Sequence, residues 1–438
     1  MKNLTFHGGI HPDDHKIISK DQPIKAVHAG EKMYYSVSQH IGAPAKPIVA
    51  KGDHVCRGQM IAEAGGFVSA PVYATVSGTV EGIVKKRMPA GNYADCIAVA
   101  NDGAMEETPY ETASIDDLTK EQIISRISAA GVVGMGGAGF PTHVKLSPRE
   151  PEKIEYILVN GAECEPYLTS DYRRMLETPE KIVQGLQVIH KVFPAAKCYI
   201  CIEDNKPDCI AMMQEKCKDA DGIEVKILRT KYPQGAERML IYAVTGRKVN
   251  SRMLPADVGC IVDNIDTVVA ICQAVLYGEP LMNRIITVTG NGAAVPGNYY
   301  VPIGMLMSEV IEHVGGIKGQ PEKIIAGGPM MGNAMFSLDI PVTKTSSAIL
   351  ILSRDEVSQM EPTACMNCGR CVQACPGGIL PTRVADFADH GDEAQFLAFQ
   401  GMECCECGCC SYVCPAKRHL TQSIRSMRKI LLAKRKKG

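Results

Sequence analysis

Hydrophobic and polar positions change their period along this chain, and each change marks a different kind of element. From Lys25 to about Val99 the apolar residues come in short runs cut by Gly and Pro, as in Ala45-Lys46-Pro47-Ile48-Val49 and Ala70-Pro71-Val72-Tyr73-Ala74-Thr75-Val76. Runs of that length bounded by turn residues predict short strands and a β-barrel or sandwich. From Leu118 the period lengthens. The pattern predicts a helix over 118–130, a strand over 154–159, a helix over 179–192, a strand over 197–202 and a helix over 207–220. A strand over 223–228 and helices over 236–244 and 265–277 follow. Such alternation predicts βαβ units and a mainly parallel sheet, which binds ligands at the carboxyl ends of its strands. Short β runs return from Arg284 to about Leu352 with one helix over 305–313, and cysteines crowd the chain beyond Pro362.

Composition narrows the class. The 438 residues suffice for several hydrophobic cores. The 47 basic and 48 acidic side chains nearly cancel, so no chain-wide field recruits nucleic acid. The opening Met1-Lys2-Asn3-Leu4-Thr5-Phe6-His7-Gly8-Gly9 lacks the apolar core of a secretory signal, and no long stretch is free of polar residues. The expectation is a chain that stays in the cytoplasm without crossing a bilayer. Cytosolic thiols are held reduced, so the 19 cysteines point to metal ligation rather than a disulfide framework. Nine are scattered from Cys56 to Cys272, and ten lie between Cys365 and Cys414.

Those ten carry the most specific motif. Cys365-x-x-Cys368-x-x-Cys371-x-x-x-Cys375-Pro376 recurs as Cys404-x-x-Cys407-x-x-Cys410-x-x-x-Cys414-Pro415. Three cysteines at this spacing wrap one iron–sulfur cubane, while the fourth, held before a proline, reaches the other cluster. The ligand sets therefore cross, with Cys365, Cys368, Cys371 and Cys414 on one 4Fe-4S cluster. Cys404, Cys407, Cys410 and Cys375 hold the second. Two zinc knuckles are the competing reading, but zinc sites pair C-x-x-C motifs or add histidine, and His419 falls outside both runs. Cys405 and Cys409 are off the spacing and read as thiols behind the cluster ligands or as buried thiols. Cys198 and Cys201 are three apart on a strand, so they face opposite sides and do not form a redox pair.

Clusters of this kind move single electrons, so a second group must handle electron pairs. The candidate is Gly134-Met135-Gly136-Gly137-Ala138-Gly139-Phe140-Pro141-Thr142. Glycines there let backbone N–H groups approach a phosphate and leave room for a flat ring. Gly134, Gly136 and Gly139 match the dinucleotide fingerprint, although here a helix precedes the loop where the fingerprint requires a strand. A plain turn-rich loop is the alternative. Tyr156-Ile157-Leu158-Val159-Asn160-Gly161-Ala162-Glu163-Cys164-Glu165-Pro166 then ends a buried strand in an amide and two carboxylates, where such a sheet presents its site. Lys231-Tyr232-Pro233-Gln234-Gly235-Ala236-Glu237-Arg238 and Gly259-Cys260-Ile261-Val262-Asp263-Asn264-Ile265-Asp266-Thr267 complete the set.

These four segments, in this order, resemble the FMN- and NADH-binding flavoprotein subunit of respiratory complex I. Its phrases read G-R-G-G-A-G-F-P-T-G-L-K, V-N-A-D-E-G-E-P, Y-I-C-G-E-E and N-N-V-E-T. With the opening Phe6-His7-Gly8-Gly9-Ile10-His11-Pro12 and the double cysteine run, nearly the whole chain resembles the C subunits of Rnf electron-transport complexes. The resemblance implies a multidomain α/β architecture: a barrel-sandwich hybrid over 1–115, a Rossmann-like FMN/NADH domain over 116–280, a β-grasp module of SLBB type over 281–355, a bacterial dicluster ferredoxin domain over 356–420 and a basic helical tail over 421–438. The stretch from Lys51 to Val84 is also similar to biotinyl and lipoyl carriers, without a lysine at the modified turn.

Carried over by residue, the resemblance places FMN against Gly134, Gly136, Gly137, Gly139 and Lys145, with Asn160, Glu163, Tyr232, Gly235, Asn264 and Thr267 around it. Phe140, Glu165 and Glu237 face NADH, the two carboxylates as catalytic candidates. Met135, Ala162, Cys164 and Ala236 depart from the family phrases, and the two carboxylates lost at Ala162 and Ala236 make the pocket less acidic. The implied activity is that of one component of an ion-translocating ferredoxin:NAD oxidoreductase, peripheral on the cytoplasmic side of the cell membrane. Its implied partners are membrane-embedded and membrane-anchored subunits, a ferredoxin-side electron carrier and NADH. A soluble NADH dehydrogenase or diaphorase, and a cluster-only scaffold with a vestigial flavin site, remain the alternatives. The tail carries Lys417, Arg418, Arg425, Arg428, Lys429, Lys434, Arg435, Lys436 and Lys437 with Leu420, Ile424, Met427 and Leu431 at helical spacing. That pattern fits docking on membrane subunits or anionic headgroups, or a solvated cationic helix.

Overall fold

The computed structural model describes residues 4–435. A four-stranded parallel sheet lies at its centre, in the order Ile223–Leu228, Lys197–Glu203, Tyr156–Gly161, Cys260–Asn264. Both faces are covered. Ile157, Val159, Cys198 and Ile200 point into the core shared with helices Pro179–Val192 and Ile265–Cys272. Leu158, Tyr199, Cys201 and Val262 pack on the opposite face with Leu240 and Ile241. Cys198 and Cys201 thus lie on opposite faces, as the strand period requires.

Local sequence sets the helix starts. Thr119 and Gln122 form a reciprocal cap on Lys120–Ala129, and Pro179 opens Pro179–Val192. Asn264 caps Ile265–Cys272 by accepting from the Asp266 N–H at 2.9 Å. Gly185 lets two of these helices touch at the backbone, since a Cβ there would run into the Val268 carbonyl. The 265–277 element starts as an α-helix and continues as a π-turn over Gln273–Tyr277, and a helix Ser170–Glu177 lies between elements the pattern predicted.

The β-rich regions build two further bodies with one core. Strands Lys32–Ser36, Tyr93–Asn101, Gly78–Arg87 and His54–Val55 form an antiparallel sheet beside a three-stranded sheet of Lys46–Pro47, Met60–Glu63 and Val72–Tyr73. Met33, Tyr35, Ile61 and Ile97 from these sheets pack with Ile286, Val301 and Ile349 of a six-stranded mixed sheet. That sheet takes Lys25–Ala26 as an edge strand against Gly297–Pro302. Lys344, 1% exposed, joins three regions: its ammonium donates to the carbonyls of Pro71 at 2.6 Å and Gly131 at 2.7 Å.

The cysteine region has its own small core of Val384, Ala385 and Phe396, completed by Leu420, Ile424, Met427 and Leu431 of helix Leu420–Arg435. The apolar stripe of the tail is therefore consumed within the chain. Arg425 and Arg428 both pair with Glu406 at 2.8 Å, and Lys434 pairs with Glu393. This corrects the expectation of a free amphipathic face. Lys436 and Lys437 lie outside the described residues. Among the described residues, no helix is long and apolar enough to cross a membrane.

Candidate functional site

The glycine loop hangs between Val133 and Pro141, which bridge antiparallel, and Gly134 N–H donates to the Phe140 carbonyl at 2.9 Å. Met135 N–H donates to Thr267 Oγ1 at 2.9 Å, which ties the loop to the helix Asn264 caps. Gly136, Gly137 and Ala138 are exposed. A Cβ on Gly136 would meet Asn264 at 3.0 Å, whereas Gly137 faces open space. Gly139 is also fixed by packing. Its φ is +70°, and a Cβ would strike Thr345 at 2.7 Å, so it packs the loop against another region.

Lys145 lies under the loop, donating to the Val262 carbonyl and Asp263 Oδ1, both at 2.9 Å. Asn160 donates to the Gly235 carbonyl at 2.8 Å, which fixes the Tyr232–Gly235 turn over the strand end. Glu163 takes a positive φ of 44° and accepts from the Asp171 N–H at 2.7 Å, with Lys16 3.6 Å away. Glu237 opens helix Glu237–Thr245 at the exposed rim, where its carboxylate feels Lys145 and Asp263.

Glu165 is placed otherwise. Its carboxylate accepts from the Met330 and Met331 N–H groups at 2.7 and 3.0 Å and lies beside Tyr232, so its contacts are with the turn after strand Lys323–Ala326 rather than with the glycine loop. Burial raises its proton affinity against those two donors. The chain adds residues that sequence patterns did not single out. Lys206, 2% exposed, donates to the Ala162 carbonyl at 2.6 Å and to Glu203 at 3.2 Å, placing a cation under the departed acidic position. Asp171 is buried beside Glu163 and Asp266 and pushed up to about 8, first by burial and then by those two charges. It accepts from Asn264 Nδ2 at 2.6 Å.

The pocket fits a flavin nucleotide. Both amide atoms of buried Gln234, one carboxylate oxygen of Asp263 and one of Glu163 have no hydrogen-bond partner. Buried polar atoms are rarely left so, and two of these residues connect to Asn264, whose side chain lies against Gly136: Asp263 precedes it in the strand, and Glu163 holds Asp171, which accepts from Asn264.

The two cysteine runs share one backbone path. Asn367 and Glu406 have φ of 54° and 57°, and Gly369 and Gly408 have φ of 74° and 81°. Asn367 N–H points at Cys365 Sγ (3.4 Å), as Glu406 N–H does at Cys404 Sγ (3.3 Å). Cys365, Cys368, Cys371 and Cys414 line a single cavity of about 120 Å³, the first crossed set. It opens outward, for Cys365 and Cys368 are exposed. Burial pushes Cys404 and Cys410 up to about 11, and the Cys375 sulfur adds to the shift of both. Thiols so buried become thiolates when a metal compensates the charge. Cys405 and Cys409 flank Cys407. Tyr232, on the turn over the nucleotide pocket, donates its OH to the Cys407 carbonyl at 2.8 Å.

Comparison with known proteins gives this arrangement its class. Residues 127–273 match the Nuo51 FMN-binding domain, 4–104 the RnfC barrel sandwich hybrid domain and 285–334 the SLBB domain. An NAD+-reducing [NiFe]-hydrogenase in its air-oxidized state shares the fold over 67% of this chain and 57% of its own, at 20% identity and a TM-score of 0.51. The class is a chain that joins an Nuo51-type FMN-binding domain to barrel-sandwich and SLBB modules. Three curated relatives are closer in sequence. The C subunit of the proton-translocating ferredoxin:NAD(+) oxidoreductase complex of Clostridium ljungdahlii is 45% identical over 87% of this chain and 84% of its own. Its Na(+)-translocating counterpart from Acetobacterium woodii is 40% identical over 100% and 99%. The C subunit of the ion-translocating oxidoreductase complex of Rhodobacter capsulatus is 38% identical over 90% and 76%. The chain belongs to the family of Rnf complex C subunits.

Proposed function

We propose that this chain passes electrons between NAD(H) and two 4Fe-4S clusters through FMN, as the peripheral, cytoplasmic-side member of a complex that couples ferredoxin:NAD oxidoreduction to ion movement. The observation that carries the reading is the Tyr232–Cys407 contact, which gives the nucleotide pocket and a cysteine cage a common wall. FMN exchanges electrons in pairs with a nicotinamide and singly with iron–sulfur centres. The chain's residues then have separable tasks. Gly134, Gly136 and Gly137 present backbone to the nucleotide, and Lys145 supplies the positive charge beside it. Asn160, Gly235, Asn264 and Thr267 hold the loop and turn in place, and Glu163 borders the cradle with Lys16 behind it. Phe140 and Glu237 stand at the rim on the nicotinamide side, while Glu165 anchors the wall around Tyr232.

The cages divide by exposure. The more buried set of Cys375, Cys404, Cys407 and Cys410 is the inner relay, and the set of Cys365, Cys368, Cys371 and Cys414, whose first two members are exposed, faces membrane-anchored and ferredoxin-side subunits. An anaerobic NADH titration of the FMN- and iron-loaded chain, with flavin absorbance and cluster EPR followed together, tests the reading. Flavin bleaching followed by reduced-cluster signals is the expected result. Clusters that assemble while FMN neither binds nor bleaches would reject it in favour of a cluster-only scaffold, the alternative that Ala162 and Ala236 keep open.

A further inference from the structure

The N-terminal segment belongs to neither redox half, yet it touches both. Leu4 adds to the edge of the parallel sheet, its carbonyl accepting from Arg229 at 2.9 Å. Lys231 donates to the Phe6 carbonyl at 3.0 Å and lies over the Phe6 ring. Gly9 N–H donates to the Ala374 carbonyl at 2.9 Å, next to the inner-cage ligand Cys375. Ile10 and Tyr232 exchange backbone hydrogen bonds of 2.8 and 2.9 Å. The segment ends at Lys16, 7% exposed, whose ammonium donates to the Glu165 and Leu168 carbonyls and faces Glu163.

We propose that residues 4–16 are a strap that sets the separation between the nucleotide turn and the inner cysteine cage, with Gly8 and Gly9 as its positioning residues. The strap rests on the electron path proposed above. Its glycines are where no side chain fits. Gly8 has φ +77°, and a Cβ would stand 2.8 Å from the Cys375 carbonyl oxygen and 3.1 Å from Pro376 N. Gly9 has φ +80°, and a Cβ would stand 2.6 Å from the Tyr232 carbonyl oxygen. These atoms are backbone, so they yield only if the turn or the cage moves. One methyl at Gly8 therefore pushes on the cage, and one at Gly9 pushes on the turn. Lys16 keeps the far end anchored beside the flavin-side carboxylate.

The test uses the full, loaded chain with Gly8→Ala, Gly9→Ala and the control Gly52→Ala. Gly52 has φ +95° with nothing near its Cβ, so it carries the left-handed strain without the contact. In both strap variants, rapid mixing with NADH should show flavin reduction within about twofold of wild type, while cluster reduction slows by roughly tenfold or more, because small misplacements of a positioned pair are costly. Gly52→Ala should leave both rates unchanged. Wild-type cluster reduction in both strap variants, or equal slowing of flavin and cluster reduction, would overturn the strap. Should Gly8→Ala lose iron, Gly9→Ala carries the test, since its methyl meets Tyr232. Amide hydrogen exchange separates the strap from the electron path. Faster exchange in 231–235 together with 374–378 supports the strap even if the wild-type clusters stay oxidised, an outcome that rejects the path alone, and unchanged exchange in both segments overturns it.

Discussion

Lys344 offers a quantitative test of how the regions are held together. Its ammonium is fully buried, and burial lowers its proton affinity from 10.5 to about 7. An unfolded chain keeps that proton up to pH 10.5, whereas the folded chain releases it above about 7. Unfolding between those values takes up a proton, so stability rises with pH there, and the gain is lost as pH falls from 10.5 towards 7, below which it changes little. At about 1.4 kcal/mol per pH unit, reduced near pH 7 where the folded lysine is half protonated, the step from about pH 7 to about pH 9 is worth roughly 2.3 kcal/mol. The Pro71 and Gly131 carbonyls oppose this by holding the charged form, which makes that figure an upper bound. Lys344→Met keeps the side-chain length and removes the titration. The measurement is urea unfolding of the loaded protein at pH 7 and pH 9 for both chains, followed by circular dichroism because the chain has no tryptophan. The wild type should gain up to about 2.3 kcal/mol more than the variant, a midpoint difference of about 0.8 M for a slope of about 3 kcal/mol/M. Common cysteine effects cancel in that difference. Parallel pH profiles for the two proteins would refute the argument and show that the carbonyls keep the lysine charged.

The crossed ligand sets can be separated by iron content. Cys414→Ser should empty the outer cage and Cys375→Ser the inner one, each lowering iron from about eight to about four per chain. Only Cys375→Ser should uncouple flavin from the remaining cluster, and identical EPR losses in Cys414→Ser and Cys410→Ser would sink the crossing. Arg284→Met tests the buried charges behind the flavin cradle. Arg284 and Arg174 share Asp266, so removing Arg284 should destabilise the fold by about 3–5 kcal/mol. A melting temperature unchanged from wild type would show that Arg174 alone suffices.

The parallel sheet was legible because its strands and helices keep their periods, and helix 179–192 appears within its anticipated bounds. The paired cysteine runs were legible because ligand spacing is local. What escaped the sequence depends on contacts between distant segments. Lys16, Lys206 and Lys344 are buried, yet lysine is ordinarily a surface residue, and nothing near them in sequence announces their carbonyl partners. The tail's apolar stripe was visible, but periodicity cannot say which surface covers it, and here it is Val384 and Phe396. Glu165 was assigned to the nucleotide by resemblance, while the fold gives its carboxylate to Met330 and Met331. Lys25–Ala26 is too short to show any period, so its place on a distant sheet edge had no local signal.

The hydrogen bond from Gly9 to Ala374 has a consequence for how the chain is made. Residues 4–16 leave the ribosome well before they can be finished, because their partners at Tyr232 and Ala374 are synthesised far later. At about 5–20 residues per second the N-terminal segment waits tens of seconds without its sheet edge or its cage. Closing so long a loop adds little entropy beyond that of a loop half its length, since the cost grows only with the logarithm of length. Contacts of such sequence separation nevertheless fold slowly. Docking of residues 4–16 therefore reports that both redox halves have been built, and a nascent chain stalled before Ala374 should leave Gly9 open to proteolysis.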